Sequence, residues 1–352
     1  IKNFESRFSK KLKEGVYIGG ESVSTFENRI AIYTGSKYCV AVNSGTDALL
    51  FSLISIGIKK GDKVIVPSFT FFATVEVVMQ LGAVPIFVDI NTETYTIDIE
   101  DFEKKVNKTI KAVIPVHLFG NNSNIENIKN ICNKYDIKII EDVAQAFGSG
   151  TSKNIKLGSI GDMGAFSFFP SKTLSGIGDG GCIVTDNFSQ YKKILKLRNH
   201  GQGKNYEHEF VGANSRLDSL NAFVLNEKLS IFQDIKKSRN SFYDFYINNL
   251  SHLDWINLPI KENKNTILNY FTITVPPLVR NKLLLYLNKL NIGASIYYKK
   301  PIHLQKVVLD RYNKISLKNT ERISKSVISL PFYSFPEDSE LDYLIAKVNK
   351  FI

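Results

Sequence analysis

From about residue 38 onward the chain alternates short, continuous apolar runs with stretches of helical length, and this alternation restricts the fold more than any other feature. The runs are residues 39–42, 63–67, 84–88, 112–116, 137–140, 165–168 and 182–185; residues 46–56 and 125–135 are two of the helical stretches between them. A strand that is apolar throughout, rather than at every second residue, has both faces covered. Such strands with helices between them build a mostly parallel, seven-stranded sheet in an α/β domain. With 352 residues, 43% of them hydrophobic and 24 of them Phe, the chain can fill a large core and suggests two domains.

After Ser215 the pattern changes. Residues 216–250 read as one or two long helices, with apolar positions at Leu217, Leu220, Phe223, Val224 and Leu225. Residues 270–275 read as a strand stopped by Pro276 and Pro277, residues 282–290 as helix, 294–298 as extended and 341–352 as a terminal helix. This predicts a large domain over 1–235 and a smaller C-terminal α+β domain over 236–352. At the other end Phe4, Phe8 and Leu12 recur at helical spacing, which predicts a short amphipathic helix with a basic outer face.

Several function classes drop out on composition. No apolar run reaches the roughly 18 residues of a membrane span, and the N-terminal stretch has scattered charges in place of a secretory h-region. Cys39, Cys132 and Cys182 are odd in number and set in apolar runs, which suits buried thiols in a reducing cytoplasm better than disulfides or a metal site. Lysines and arginines number 45 against 34 acids, for a net charge of +11, yet basic residues never run longer than two together. A dispersed solvated surface explains this better than a nucleic-acid footprint, and its field would attract a phosphorylated substrate.

Chemistry concentrates in 137–148 (IKIIEDVAQAFG) and 163–181 (MGAFSFFPSKTLSGIGDGG). Asp142 follows an apolar strand, where open α/β sheets place ligand-binding groups. A carboxylate there would keep a pyridine nitrogen protonated, and Gln145 could donate to a ring hydroxyl. Taken alone, an Asp at this point is more often a helix N-cap. Lys172 stands at the next strand's end among aromatics that would lower its pKa, with Ser167 just before it and Gly176–Gly181 just after. Gly45 and Thr46 open a helix whose free N–H groups can hold a phosphate, a capped helix without ligand being an equal reading. Phe71 is a candidate to stack on a ring, although an aromatic pair is more often core. A basic ring nitrogen, a phosphate and an aldehyde together specify pyridoxal 5'-phosphate.

Taken in order, these segments resemble the DegT/DnrJ/StrS-type nucleotide-sugar aminotransferases, a family dependent on pyridoxal phosphate. The matching stretches are AVNSGTDAL (41–49), GDKVIVPSFTFFATVE (61–76), GAVPIFVDINTETYTID (82–98), IPVHLFG (114–120), EDVAQAFG (141–148), FSFFPSKTL (166–174) and GDGG (178–181). LRNHGQ (197–202), GANSRLDSLNA (212–222), IYYKKPIHLQ (296–305) and SLPFY (329–333) carry it to the smaller domain. The resemblance implies an aspartate-aminotransferase-like, fold-type I large domain. It implies that Lys172 carries the cofactor in imine linkage and shuttles the proton, that Asp142 pairs with the ring nitrogen and Gln145 with the ring oxygen. Gly45, Thr46 and Ser167 would hold the phosphate under Phe71. Asn214 and Arg216 would reach the neighbouring subunit's phosphate site, making the active unit a homodimer.

The implied reaction is ping-pong: L-glutamate leaves its amino group as pyridoxamine 5'-phosphate, and a nucleotide-diphosphate-linked keto-sugar takes it up. Asp179, in GDGG, favours a ketone at sugar C3 over C4. The chain departs from the family at Ile177, Thr173 and Phe147, where members often carry Tyr, Asn and His; Ile177 lies where the sugar would pass. His117, His200 and His303 are either sugar-side or structural. Two other readings are a sugar dehydratase, in which a His replaces the lysine, and a basic regulatory protein on the same scaffold. Lys172 and the intact set around it oppose both.

Overall fold

The protein is described by a computed structural model covering residues 3–351. All seven apolar runs are strands, with ends displaced by a few residues at most: β1 Tyr38–Val42, β2 Lys63–Pro67, β3 Val84–Val88, β4 Ile110–Val113, β5 Lys138–Asp142, β6 Met163–Ser167 and β7 Gly181–Thr185. They form one sheet in the order β1-β7-β6-β5-β4-β2-β3. Only β7 is reversed, running antiparallel to both β1 and β6. The cause is local: residues 168–180 form no crossover helix, so the chain turns back beside the strand it has left.

Successive residues on each strand feed opposite faces. Cys39, Ala41, Ile65, Val113, Ile139, Phe166 and Cys182 join one core, and Val40, Val42, Val64, Val66, Ile140, Ala165 and Ile183 the other. In chain order the helices are α1 Phe4–Lys13, α2 Gly20–Thr34, α3 Gly45–Ser55, α4 Ala73–Gln80, α5 Ile99–Lys105, α6 Ile125–Asn133, α7 Phe188–Leu197, α8 Ser219–Ser230, α9 Phe232–Leu250 and α10 Pro277–Lys289. The first core is covered by α2, α5, α6 and α8, the second by α3, α4 and α7. Helix α1 buries no residue, but Phe4 and Phe8 stack and both meet Phe223 of α8.

The smaller unit pairs β8 Phe271–Thr274 with β9 Val327–Leu330, antiparallel, under α10 and α13 Asp338–Asn349, with the short α11 Lys306–Leu309 and α12 Lys318–Ile323 between. Helix α9 runs from one core to the other: Phe232 and Ile235 pack with the large sheet, Phe242, Tyr246 and Leu250 with β8 and β9. The sequence-based boundary at 235/236 therefore falls inside a continuous helix. The long helical pattern is two helices meeting at Ile231, the second of the two expected alternatives. Two further differences are local: α10 begins at Pro277, which suits a first-turn position, and 294–298 makes only an isolated bridge, Ser295 to Ser329. Ile352, the last residue of the predicted terminal helix, lies outside the described residues.

The three cysteines are buried and free. Among the described residues no group of three or more His, Cys, Asp or Glu is placed to hold a metal ion, and no helix is long and apolar enough to cross a membrane.

Candidate active site

A cavity of about 450 Å³ opens where β1, β2, β5 and β6 end and the reversed β7 begins. Asp142, Gln145, Ser167, Lys172, Gly45, Thr46 and Phe71 all line it.

Asp142 is the last residue of β5, and a turn follows it in place of a helix, so it caps nothing. Its carboxylate accepts hydrogen bonds from the Thr74 hydroxyl (2.9 Å) and the Ala144 N–H (3.1 Å). Burial pushes its pKa up, against the pull of those two donors and of the Lys172 charge. Lys172 sits in a loop tied back on itself, its N–H donating to the Phe169 carbonyl (2.8 Å) and that of Gly176 to Phe168 (2.7 Å). Burial lowers the amine to about 8, with Asp142 the opposing influence. An amine in this range is substantially neutral, hence nucleophilic, near physiological pH.

Gln145 is held at both ends. Its side-chain oxygen accepts the Phe119 N–H (3.0 Å) and its nitrogen donates to the Tyr298 hydroxyl (2.9 Å), so the donor end is the one turned toward Tyr298 at the cavity. Phe71 is 60% exposed at the cavity wall, 6.5 Å from the Tyr298 ring, and so is no core residue.

At the cavity's other end Ser44 caps α3, its hydroxyl accepting the Asp47 N–H (3.0 Å). Gly45 and Thr46 follow, where a helix leaves N–H groups without intrahelical acceptors. The backbone here admits no side chain: a Cβ at Gly45 would lie 2.8 Å from Ser167 Cβ, and one at Gly181 would lie 2.4 Å from the Ser44 carbonyl oxygen. These close approaches bring a helix N-terminus and the Ser167 hydroxyl together in a seat suited to a phosphate. The donor set as a whole fits pyridoxal phosphate, with Asp142 for the ring nitrogen, Gln145 for the ring oxygen and Lys172 for the aldehyde. Segment 176–181 is anchored by Asn221, which accepts the Ile177 N–H (3.0 Å) and donates to the Asp179 carbonyl (2.7 Å).

Asn214 and Arg216 do not line this cavity. Arg216 faces a separate cleft of about 330 Å³ with Ile18 and Arg198, donates to Asn199 (3.1 Å) and leaves its Nε without a partner. The histidines are also elsewhere. His117 is buried, accepting the Ser123 N–H at Nδ1 (3.0 Å) and so donating from Nε2 to Glu141 (2.9 Å); His303 is buried between Ser68 and Glu321, and His200 is exposed. Thr173 is bonded to Asn269, and Phe147 packs among Tyr33, Phe166, Phe168 and Phe232. Sequence reasoning missed Thr74 and Tyr298, whose partners lie 68 and 153 residues away along the chain.

A model of the DegT/DnrJ/EryC1/StrS aminotransferase family matches residues 1–349. A dTDP-3-amino-3,6-dideoxy-alpha-D-galactopyranose transaminase from Aneurinibacillus thermoaerophilus is 36% identical over 99% of this chain and 95% of its own. A UDP-2-acetamido-2-deoxy-3-oxo-D-glucuronate aminotransferase from Pseudomonas aeruginosa is 34% identical over 98% and 97%. Among solved structures, Bacillus subtilis NtdA with bound cofactor PMP superposes with a TM-score of 0.90 at 31% identity, covering 99% of this chain and 81% of that one. The chain belongs to the DegT/DnrJ/EryC1/StrS aminotransferase family, and its fold is that of the fold-type I aminotransferases.

Proposed function

We propose that this enzyme moves the amino group of L-glutamate to the ketone of a nucleotide-diphosphate-linked sugar, at C3 in preference to C4, supplying amino sugars for surface polysaccharide, glycan or glycoside assembly. It is a sugar aminotransferase whose cofactor is pyridoxal 5'-phosphate, with pyridoxamine 5'-phosphate between the two halves of the reaction. The single observation that carries the reading is a partly buried amine, Lys172, and a buried carboxylate, Asp142, facing one cavity and shifting each other's ionisation. Bound there, the cofactor supplies an aldehyde that captures amines and a ring that accepts electrons from the adjoining carbon.

The remaining roles belong to the chain. Asp142 holds a proton on the ring nitrogen, and that positive charge in turn favours its carboxylate form. Gln145 donates to the ring oxygen; Gly45, Thr46 and Ser167 bind the phosphate; Phe71 covers a ring face. Once free, the neutral Lys172 Nζ takes the proton from the donor's α-carbon and returns it on the cofactor side, then reverses the transfer for the sugar. Asn214 and Arg216, outside their own chain's cavity, complete the phosphate seat of a second subunit in a homodimer. The C3 preference is supported by Asp179 at the cavity and by the 3-amino and 3-oxo sugars named for the two relatives above.

The test is to incubate the purified protein with L-glutamate and a panel of 3-keto and 4-keto nucleotide sugars and to identify products by mass spectrometry. A 3-amino sugar and 2-oxoglutarate are the expected pair. Exclusive amination at C4 would refute the regiochemistry, and no transfer to any sugar would refute the function.

A further inference from the structure

We propose that the cleft on the small-domain side of Lys172 is a carboxylate-binding subsite, formed by Arg239 and Lys228, that seats a dicarboxylic amino donor. The inference rests on the transamination reading above. The cleft, about 520 Å³, lies between segment 170–175 and the loop 329–335, and it shares Ser171, Lys172, Tyr270 and Tyr297 with the cofactor cavity.

Charge distinguishes the two spaces. The cofactor cavity is lined by one cation, Lys172, against two carboxylates, Asp142 and Asp179. Its one amine is committed to the chemistry, so no cation of this chain lining that cavity is left free for a donor's carboxylates. The adjoining cleft is the reverse, lined by Lys172, Lys228 and Arg239 with no acidic side chain.

Arg239 is only 5% exposed and forms no ion pair among the described residues. Its contacts are neutral: Nε to the Leu268 carbonyl (3.1 Å), Nη2 to the Asn269 carbonyl (2.8 Å), Nη1 to Ser334 (3.4 Å), and the face of the guanidinium over the Phe332 ring (4.8 Å to its centroid). A guanidinium has more donors than these use, in a planar fork that fits a carboxylate. A buried cation facing only neutral groups is an expense the fold has left open, and burial accordingly draws it down to about 10. Lys228, half-buried, gives its ammonium only to the Ser175 hydroxyl (2.9 Å). A donor carboxylate held by these two groups would leave its amine beside Lys172, the residue common to both spaces.

Glutarate keeps both carboxylates of glutamate and lacks the amine, so its binding to the holoenzyme reports the cleft without the reaction. Calorimetric titration should show binding to the wild type that weakens with salt. Arg239→Gln and Lys228→Gln should each weaken glutarate about tenfold or more, with a matching rise in KM for glutamate. Unchanged glutarate affinity in Lys228→Gln overturns the proposal, as does absence of binding to the wild type. So does a folded Arg239→Gln that loses thermal stability but binds glutarate normally, which would make Arg239 a staple for two carbonyls. If Arg239→Gln does not fold, Lys228→Gln decides alone. Normal transfer from glutamate with unaltered glutarate affinity in the variants sinks the cleft only. Intact, variant-sensitive glutarate binding without any amino transfer upholds the cleft and sinks the reaction.

Discussion

Replacing Gly45 with alanine tests whether the contact between the start of α3 and the end of β6 builds the phosphate seat. The added Cβ would stand 2.8 Å from Ser167 Cβ and 3.4 Å from Ser167 Cα and Oγ. Ordinary carbon–carbon contact begins near about 3.5 Å, so helix and strand must part by about 0.7 Å. Neither yields cheaply, because β6 is paired on both sides and α3 buries Ala48, Leu49, Phe51, Ser52 and Leu53. Overpacking of this kind costs about 1–3 kcal/mol, offset by less than about 1 kcal/mol of helix propensity. A net loss of about 1–2 kcal/mol corresponds to a fall in Tm of roughly 1–3 °C for a chain of this size. The effect on binding should be larger. The α3 N–H groups and the Ser167 hydroxyl no longer converge, and one charged hydrogen bond is worth about 1.5–3 kcal/mol, roughly ten- to hundredfold in affinity. Titrating the apoprotein with pyridoxal phosphate and with phosphate-free pyridoxal separates the two effects: the variant should lose affinity for the first and keep it for the second. Gly178→Ala is the control, since nothing lies within 4 Å of its new Cβ, and its stability should stay within about 0.5 kcal/mol. A Gly45→Ala protein that binds pyridoxal phosphate like the wild type, with Tm unchanged or raised, would refute the reasoning.

Lys172→Ala should abolish the visible absorbance of captured cofactor while the circular dichroism of a folded protein persists; a yellow, active variant contradicts the assignment. Lys172→Met should stabilise the apoprotein in a pH-dependent way. The native amine titrates near 8 against an ordinary 10.5, so the unfolded chain holds that proton more tightly. The native penalty, at most about 3 kcal/mol, is full below pH 8 and gone above 10.5. Urea unfolding at pH 7 and pH 10 reads the difference, and an equal gain at both argues against it. Asp142→Asn should slow both half-reactions severely in stopped-flow absorbance. It should also move the midpoint for cofactor capture to lower pH, because burial of Lys172 is then unopposed; a fixed midpoint means the two do not interact. Glu141→Ala should lower stability by about 3–5 kcal/mol in chemical denaturation. Its buried carboxylate serves the N–H groups of Gly158, Ile160 and Gly161 as well as His117, and a loss below about 1 kcal/mol would contradict that role.

What the sequence disclosed follows from where parallel sheets put their information. Strands covered on both faces are apolar at most positions, with charges such as Lys63, Lys111 and Lys138 near their starts, so all seven are legible, and residues near their ends stand out as site candidates. Asp142 and Lys172 were visible for that reason. By contrast β9 is a four-residue strand, with a pattern no different from a helix turn, and it surfaced only inside SLPFY. Thr74 and Tyr298 carried no signal because a hydrogen bond across the fold leaves no spacing in the chain. The domain boundary was blurred because α9 supplies both cores with one unbroken apolar periodicity. Asn214 and Arg216 rest on the family resemblance alone; within one chain Asn214 bridges Asn199 through the backbone, and Arg216 donates to Asn199 in another cleft.

The ionisation of the cavity indicates why such a fold should be a better protein loaded than empty. Asp142 is raised by burial and Lys172 lowered by it, and each is the other's compensating charge, yet no ion pair joins them. They cannot simply collapse together. Asp142 is fixed by Thr74 and Ala144 at the end of a central strand, and Lys172 by the loop that folds back on Phe168 and Phe169. Two half-compensated groups held apart are a standing expense in the empty fold, which a ring with a protonated nitrogen at one end and an electrophilic carbon at the other would relieve at both. Cofactor loading should therefore raise Tm well beyond what the phosphate alone provides, and Asp142→Asn should shrink that increment while raising the Tm of the apoprotein. If inorganic phosphate reproduces the whole increment, the strain between carboxylate and amine is not what the cofactor relieves.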